Sequence, residues 1–330
     1  MLSPVVLALD FGGSKIAAAV ADAATGVRLG DATIPTVAAD GAQANLTAGI
    51  EAGQRLVDRA APGRRLAAVG ACTFGIPTED GVQLAPAVPG WGDLRLGHEL
   101  RRAFAGAEVR LATDVKAAAQ AEAEWGALAG CDPGIYLNLG TGLAAAIVVG
   151  GTVLTGRHGA AGEIGYNLRQ LPDVGRPLTD RIPLEDAVSG IALRRDAVTL
   201  APATRRTPAG PGPADSADLL PAPGTGAAAV FAAAATEPRA ADRIRAFGTE
   251  LAFHLVNLAI AIDPVRIAVG GGMVRSWEQL HGRLRAALDA AVPFPPELVV
   301  AAFPHDAPLL GALALATAAA RAAASEEATA

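Results

Sequence analysis

The chain of 330 residues is predicted to be an α/β protein whose two domains face one another across a cleft. Three observations carry that expectation. The length exceeds what one hydrophobic core ordinarily serves. Short apolar strands alternate with longer stretches of helical spacing. One pattern also occurs twice: apolar strand, polar residue, glycine turn with a hydroxyl, apolar strand. The first copy, in "LALDFGGSKIAAAV", holds Asp10, Gly12, Gly13 and Ser14; the second, in "LNLGTGLAAAIVV", holds Asn138, Gly140, Thr141 and Gly142. A chance pair of glycine turns would look the same, whereas duplicated half-domains would account for the shared order of residue types.

The elements follow in order. Residues 5–9 and 16–20 read as apolar strands joined through the glycines. Residues 45–59 have helical spacing, and "RLAAVGACTFGIP" reads as one buried strand running to Pro77. An amphipathic helix is expected over 96–104 and a strand over 109–111. "TDVKAAAQAEAEWGAL" is rich in good helix formers and has a natural start at Thr113 or Asp114. "GIYLNLGTGLAAAIVVGG" supplies the second strand pair. The Pro-, Gly- and Ala-rich stretch 199–226 is expected to be a mobile surface loop. A long helix over 240–262, a buried strand in "DPVRIAVGGGMV" and an Ala-rich helix from Pro308 complete the chain.

Composition narrows the partners. Hydrophobic residues make up 51% and charged residues 18%, while aromatics are only 4%, so the core must be built from Ala, Val, Leu and Ile. The net charge of −6 argues against a nucleic-acid surface, and any polyanion such as ATP must be held by local geometry. No secretory signal is visible. No uncharged stretch looks like a membrane span, since the most apolar segment contains His254, Asn257 and Asp263. Cys72 and Cys131 lie far apart and suggest neither a disulfide framework nor a Cys-rich metal site. A soluble cytoplasmic protein is expected, with no nucleic-acid or membrane partner.

Phosphate binding needs backbone N–H groups that converge on an anion, and glycine permits the tight turn and the close approach. Gly12, Gly13 and Ser14, followed by Lys15, form one candidate nest, with Asp10 placed to hold Mg²⁺ through water. Gly140, Thr141 and Gly142 form a second. Gly270, Gly271 and Gly272 would let a flat adenine or ribose lie against backbone. Neither the Walker A nor the GxGxxG pattern is present. Each cluster alone reads as a structural turn; three together, one carrying an acid, read as a nucleotide cradle.

The sequence resembles the ROK family of sugar kinases, repressors and relatives. "LALDFGGSKIAAAV", "ATDVKAAAQAEAEWGAL", "LNLGTGLAAAIVVGGTVLTGRHGAAGEIGYN", "PLEDAVSG", "DPVRIAVGGGMV" and "AAFPHDAPLLGALALA" fall in the family's order along nearly the whole chain. The resemblance implies the actin-like, ribonuclease H-like ATPase fold, with two α/β domains flanking a cleft, and a homodimer. The expected division is a smaller domain of residues 1–113 plus 308–330, with the C-terminal helix returning to it, and a larger domain of 114–307. ATP and Mg²⁺ are the implied cofactors.

Family enzymes move the γ-phosphoryl group of ATP to a sugar hydroxyl, with a carboxylate accepting the hydroxyl proton. The residue that matches is Asp114, which on residue type alone could equally be a helix N-cap, a role open to Thr113 too. Glu163, in "GAAGEIGYN", and Glu185, in "PLEDAVSG", match the family's two sugar-binding glutamates, and the Gly75–Pro77 turn would wall the sugar cleft. Lys116 opposes the macrodipole at the start of its helix. It reads either as a contact to a phosphate or acidic group in the cleft or, more ordinarily, as a solvated lysine on a helix face.

The departures are informative. Tyr166 stands where the family has a histidine, and Thr113 where an Asn that touches the sugar is usual. The Cys-rich zinc loop is missing: "NLRQLPDVGRPLTDRIP" has neither Cys nor His, so no structural zinc is expected, and packing around Pro172, Pro177 and Pro183 is expected to hold that loop. The expected activity is ATP-dependent phosphorylation of a primary hydroxyl on a hexose or hexose-like ring. An amino sugar such as kanosamine, or a C7-cyclitol, is the alternative substrate, and a non-catalytic sugar sensor the alternative function. A DNA-binding repressor is disfavoured by the acidic charge and by the nine residues before Asp10, too few for a helix-turn-helix.

Overall fold

The computed structural model describes residues 2–200, 226–304 and 306–329. Strands β1 (Val5–Phe11), β2 (Lys15–Asp22) and β3 (Arg28–Pro35) form an antiparallel meander, and α1 (Gly41–Ala60) leads to β4 (Leu66–Thr73), parallel to β1. A short hairpin of β5 (Ile76–Pro77) and β6 (Val82–Gln83), then α2 (Leu96–Ala103), precede β7 (Glu108–Thr113), parallel to β4. The sheet order is β3-β2-β1-β4-β7.

After α3 (Asp114–Trp125) the plan repeats. Strands β8 (Gly134–Leu139), β9 (Leu143–Val149) and β10 (Thr152–Val153) form a second meander. Helices α4 (Gly190–Leu200), α5 (Ala227–Ala233) and α6 (Pro238–Ile262) lead to β11 (Arg266–Gly270), parallel to β8; α7 (Trp277–Ala291) leads to β12 (Glu297–Val300), parallel to β11. The order β10-β9-β8-β11-β12 is that of the first sheet. The duplication visible in the two hairpins therefore extends to whole sheets, and the fold is the actin-like, ribonuclease H-like ATPase fold. The interior strands β1, β4, β8 and β11 are covered on both faces, which is why they read as apolar runs without alternation.

The two sheets are joined by crossed helices. Helix α3 follows β7 of the first sheet, yet Val115, Ala118 and Ala119 pack with Tyr136, Ala146 and Ala268 of the second. Helix α8 (Ala307–Thr329) follows β12 of the second sheet, yet Leu309, Ala312 and Ala316 pack with Val6, Ala8 and Ala68 of the first. Small residues let these backbones approach closely. The fully buried Glu122 ties the crossovers together: its carboxylate accepts N–H bonds from Ala127 (2.7 Å), Ala302 (3.0 Å) and Phe303 (2.8 Å).

Several expectations are corrected. The strand predicted over 65–77 breaks after Thr73, because Gly75 takes φ +78 and turns Ile76 and Pro77 into the separate β5–β6 hairpin. The edge strand β3 was not predicted, since its charged, half-exposed residues give no apolar run. Helices α6 and α8 are long and apolar enough to cross a membrane by length and composition, and both bury residues in the protein: Phe247, Leu251 and Leu255 of α6 share a core with Leu137 and Ile267 of the second sheet, as Leu309 and Ala312 of α8 do with the first. Most of the loop expected over 199–226 lies outside the described residues; 199 and 200 end α4, and Gly226 precedes α5.

The segment following Tyr166 is held by polar ties rather than by its prolines, of which Pro172 and Pro177 are exposed. Arg169 pairs with Glu250 of α6, Asn167 contacts His254 at 3.3 Å, and Arg181 donates to the Tyr166 carbonyl at 2.8 Å. Among the described residues, no group of three or more His, Cys, Asp or Glu side chains is arranged to hold a metal ion.

Candidate active site

The parallel strands β1, β4 and β7 bring Asp10, Cys72 and Asp114 together at one edge of the first sheet. Asp10 pairs in register with Cys72, Cys72 with Ala112, and Thr73 with Thr113, the residue before Asp114. This is the carboxyl end of the parallel strands, where open α/β sheets bind ligands. Asp10 is buried, and the Cys72 thiol donates to its Oδ1 at 3.3 Å. Burial pushes the Asp10 carboxyl up to about 6; the Cys72 thiol and the Lys15 charge oppose the rise, and Asp306 adds to it.

Thr113 settles the capping question. Its Oγ1 accepts the Lys116 N–H at 3.2 Å, with φ −72 and ψ 157, so Thr113 is the N-cap and Asp114 opens the helix. The Asp114 carboxylate is thereby free of the helix end except for a 2.8 Å bond from Val115 N–H. It is half-buried and pushed up to about 7, by burial first, then by the negative charge of Asp10, with Glu163 adding to the rise. Two carboxylates therefore share one strand edge and resist ionising together.

The predicted cradles separate into glycines that packing demands and glycines that it does not. In the first turn Gly12 N–H donates to Lys15 O at 3.0 Å, and Thr36 braces the turn by donating from Oγ1 to Gly12 O and from N–H to Ser14 O. The N–H groups of Gly13 and Ser14 donate to no acceptor among the described residues, and a Cβ at Gly13 would meet only an ordinary contact with Ala87. In the second turn a Cβ on Gly142 would lie 2.4 Å from Glu185 Oε2. In the third, a Cβ on Gly270 would fall 2.1 Å from the Tyr136 hydroxyl, and Gly271, at φ +88, lies against Leu139 O. Gly272 opens on free space. Gly13 and Gly272 are thus the glycines whose bareness packing leaves unexplained.

Opposite the strand edge lies the loop of Glu163. Gly162, at φ +84, is pinned to β9, since Ala145 N–H donates to its carbonyl at 2.8 Å and a Cβ would lie 2.0 Å from Ala145 O. Gly159 rests against Ile76, so the Gly75–Pro77 hairpin and the Glu163 loop meet. The Lys116 side chain is only 5% exposed, and its Nζ pairs with Glu163 Oε1 at 3.4 Å, which replaces the solvated-lysine reading. Glu185 accepts Leu143 N–H at 2.8 Å and so fastens the second glycine turn; burial raises its pKa, as do Asp186 and Glu163. Half-buried Tyr166 faces the fields of Glu185 and Glu163, which together with burial hold its hydroxyl protonated.

Asp10 suits a hard divalent cation: it is an oxygen donor, buried among carboxylates. The rest of such a cation's shell would come from phosphate oxygens and water, as is usual for Mg²⁺. Sequence reasoning missed Cys72 and Thr36, whose contacts depend on strand register and loop closure.

Comparison with known proteins places the chain in a family. A model of the ROK family matches residues 6–319. A glucokinase of Streptomyces coelicolor is 30% identical over 277 residues, which cover 81% of each chain. The bifunctional enzyme NanE/NanK of Brucella melitensis is 30% identical over 226 residues, covering 68% of this chain; the match spans only 38% of that enzyme's length. Among solved structures, a ROK family glucokinase from Streptomyces griseus, in complex with glucose and AMPPNP, superposes with a TM-score of 0.71 at 29% identity, covering 94% of this chain and 98% of that one. Paired sheets of one topology, an acid at the first glycine turn and a match along almost the whole sequence lead to one conclusion: the chain belongs to the ROK family.

Proposed function

We propose that this chain is an ATP- and Mg²⁺-dependent sugar kinase, transferring the γ-phosphoryl group to a primary hydroxyl of a hexose or hexose-like ring. The observation that carries the reading is Asp114, released from helix capping by Thr113 and pushed up to about 7 beside Asp10. A general base works best with a pKa near the working pH. Asp114 accepts the proton of the acceptor hydroxyl as the hydroxyl oxygen attacks the γ-phosphorus, and the bond from that phosphorus to the β–γ bridging oxygen breaks to release ADP. Glu163, Tyr166 and Glu185 orient the ring, and the free N–H groups of Gly13 and Ser14, with Lys15, receive phosphate oxygens. Mg²⁺ held at Asp10, when bound, supplies charge neutralisation to the phosphates. Closure of the 1–113 plus 308–330 domain on 114–307 excludes water.

The relatives support ATP and a hexose as substrates, since the Streptomyces griseus glucokinase holds glucose and AMPPNP. A cytoplasmic homodimer belongs to the same reading. Exposed Leu171, Val174 and Ile182, on the segment that replaces the zinc loop, are apolar surface that a second copy would cover.

The pH profile is one check. Because the Asp114 carboxyl is raised, the base loses activity as pH falls through about 7, and kcat/KM drops close to tenfold per unit below that limb. Without Mg²⁺ the Asp10 carboxyl is raised as well, to about 6, so in the metal-free protein the two titrate as a pair. An acid limb at the ordinary carboxylate range near 4 would show that the Asp114 carboxyl is not raised in the working enzyme.

The direct test is ADP release from Mg²⁺-ATP with glucose, mannose, fructose, N-acetyl amino sugars, kanosamine and a C7-cyclitol. Turnover on one class is expected. ATP binding with silence across the panel would favour the sensor.

A further inference from the structure

The Lys116–Glu163 pair restricts how Glu163 can grip a ring. A carboxylate with both oxygens free accepts hydrogen bonds from two adjacent hydroxyls. Here Oε1 faces the Lys116 ammonium at 3.4 Å, while Oε2 has no hydrogen-bond partner among the described residues. Neither member can easily move away. Lys116 lies in the first turn of a helix fixed by the Thr113 cap, and its side chain is almost wholly covered. Glu163 follows Gly162, whose carbonyl accepts the N–H groups of Ala145 and Ile164. Breaking such a pair would leave a covered ammonium without its counter-charge.

We propose that Lys116 is a positioning residue that occupies one oxygen of Glu163, so that the acceptor is held at this edge through a single hydroxyl. The inference rests on the sugar-kinase reading and deepens it. Glu163 does not read the ring position next to the hydroxyl it holds. The substrate class is therefore a hexose-like ring with no need for a vicinal diol there: deoxy rings, rings substituted at that position and cyclitols qualify alongside plain hexoses.

The test uses the full chain, Mg²⁺ and AMPPNP. Calorimetry measures binding of the best-bound hexose of the panel and of each of its monodeoxy analogues, for wild type, Lys116→Asn and Lys116→Arg. In Lys116→Asn one further hydroxyl, adjacent to one already read, becomes costly to remove: its deoxy penalty rises from under about threefold to about tenfold, the scale of one charge-assisted hydrogen bond. Lys116→Arg keeps a cation on Glu163 and so gains no second deoxy penalty. The change falls on KM rather than kcat, which general destabilisation would not produce.

Should Lys116→Asn fail to fold, Glu163→Gln answers the same question. Its amide oxygen stays with Lys116 and its amide nitrogen donates to the ring hydroxyl in a neutral bond, so the deoxy penalty shrinks at one position only. Loss at two adjacent positions overturns the proposal. Identical profiles in wild type and Lys116→Asn overturn it too, while ADP release from the parent hexose leaves the kinase reading standing. Binding of no compound of the panel, cyclitol included, overturns both.

Discussion

Asp114→Asn is expected to lower kcat by about 10²–10⁴-fold, the range a positioned general base supplies, while the affinities for the acceptor sugar and for AMPPNP stay close to wild type. Asn keeps the shape of the side chain, and its amide oxygen can still accept the Val115 N–H bond that Asp114 Oδ1 now takes. The helix end is not disturbed, because the cap belongs to Thr113. What is lost is a group able to take the proton of the attacking hydroxyl.

The same variant carries a second signature of opposite sign. Folding raises the Asp114 pKa from 3.8 to about 7. Between those values the folded protein holds a proton that the unfolded chain has released, so stability is lost as pH rises through that window. Above about 7 the full cost of the buried charge stands. Asp114→Asn removes that charge, so its melting temperature is expected to exceed that of wild type at pH 8, with the gap closing toward pH 4. Loss of activity with a gain in stability would mark a site residue kept for chemistry at a cost to the fold. A variant that is inactive and also less stable at pH 8 would mark a structural acid, and full activity would end the base assignment.

The parts of the fold that were legible in the sequence are those in which local pattern and tertiary role coincide. Strands β1, β2, β8 and β9 announce themselves as apolar runs around glycine turns, and the echo between the two turns foretold two sheets of one topology. Helix α3 was legible from its Ala-rich composition, with its start left between two residues that only backbone geometry could separate. What the sequence hid depends on register and crossover. Nothing around Cys72 signals that β4 lays it beside Asp10, since that contact joins residues 62 positions apart. Lys116 was harder still. A lysine in the first turn of a helix is ordinarily solvated, and its burial depends on a glutamate 47 residues away in a loop of the other sheet's domain. At the glycine triplet 270–272 the sequence could not separate packing from binding: two of its three members answer to Tyr136 and Leu139, and only Gly272 opens on space.

Glycine also governs the largest expected effect on stability, at the crossing of α8 with its neighbours. A Cβ on Gly311 would lie 1.7 Å from the carbonyl oxygen of Ala117 in α3, and a Cβ on Gly70 of β4 would lie 1.9 Å from the carbonyl oxygen of Ala312 in α8. In both cases the obstacle is backbone, so no side chain can rotate out of the way, and the helix must shift as a body. Overpacking of cores costs about 1–3 kcal/mol, occasionally more, and these contacts belong at or beyond the top of that range. Against a total stability of about 5–15 kcal/mol, Gly311→Ala and Gly70→Ala are each expected to lower the urea midpoint steeply. Combined, they should cost less than their sum, because either one already displaces α8. Gly282, inside α7, is the control: its Cβ would meet nothing within 4 Å, so the same substitution there should stabilise by about 0.5–1 kcal/mol through helix propensity. Opposite signs for one chemical change would locate the constraint in the packing of α8 between β4 and α3. Equal, small effects at all three positions would show that the crossing tolerates a methyl group. The functional consequence follows from α3, because a helix pushed off Gly311 carries Asp114 at its first turn, so the folded fraction of Gly311→Ala should also lose kcat.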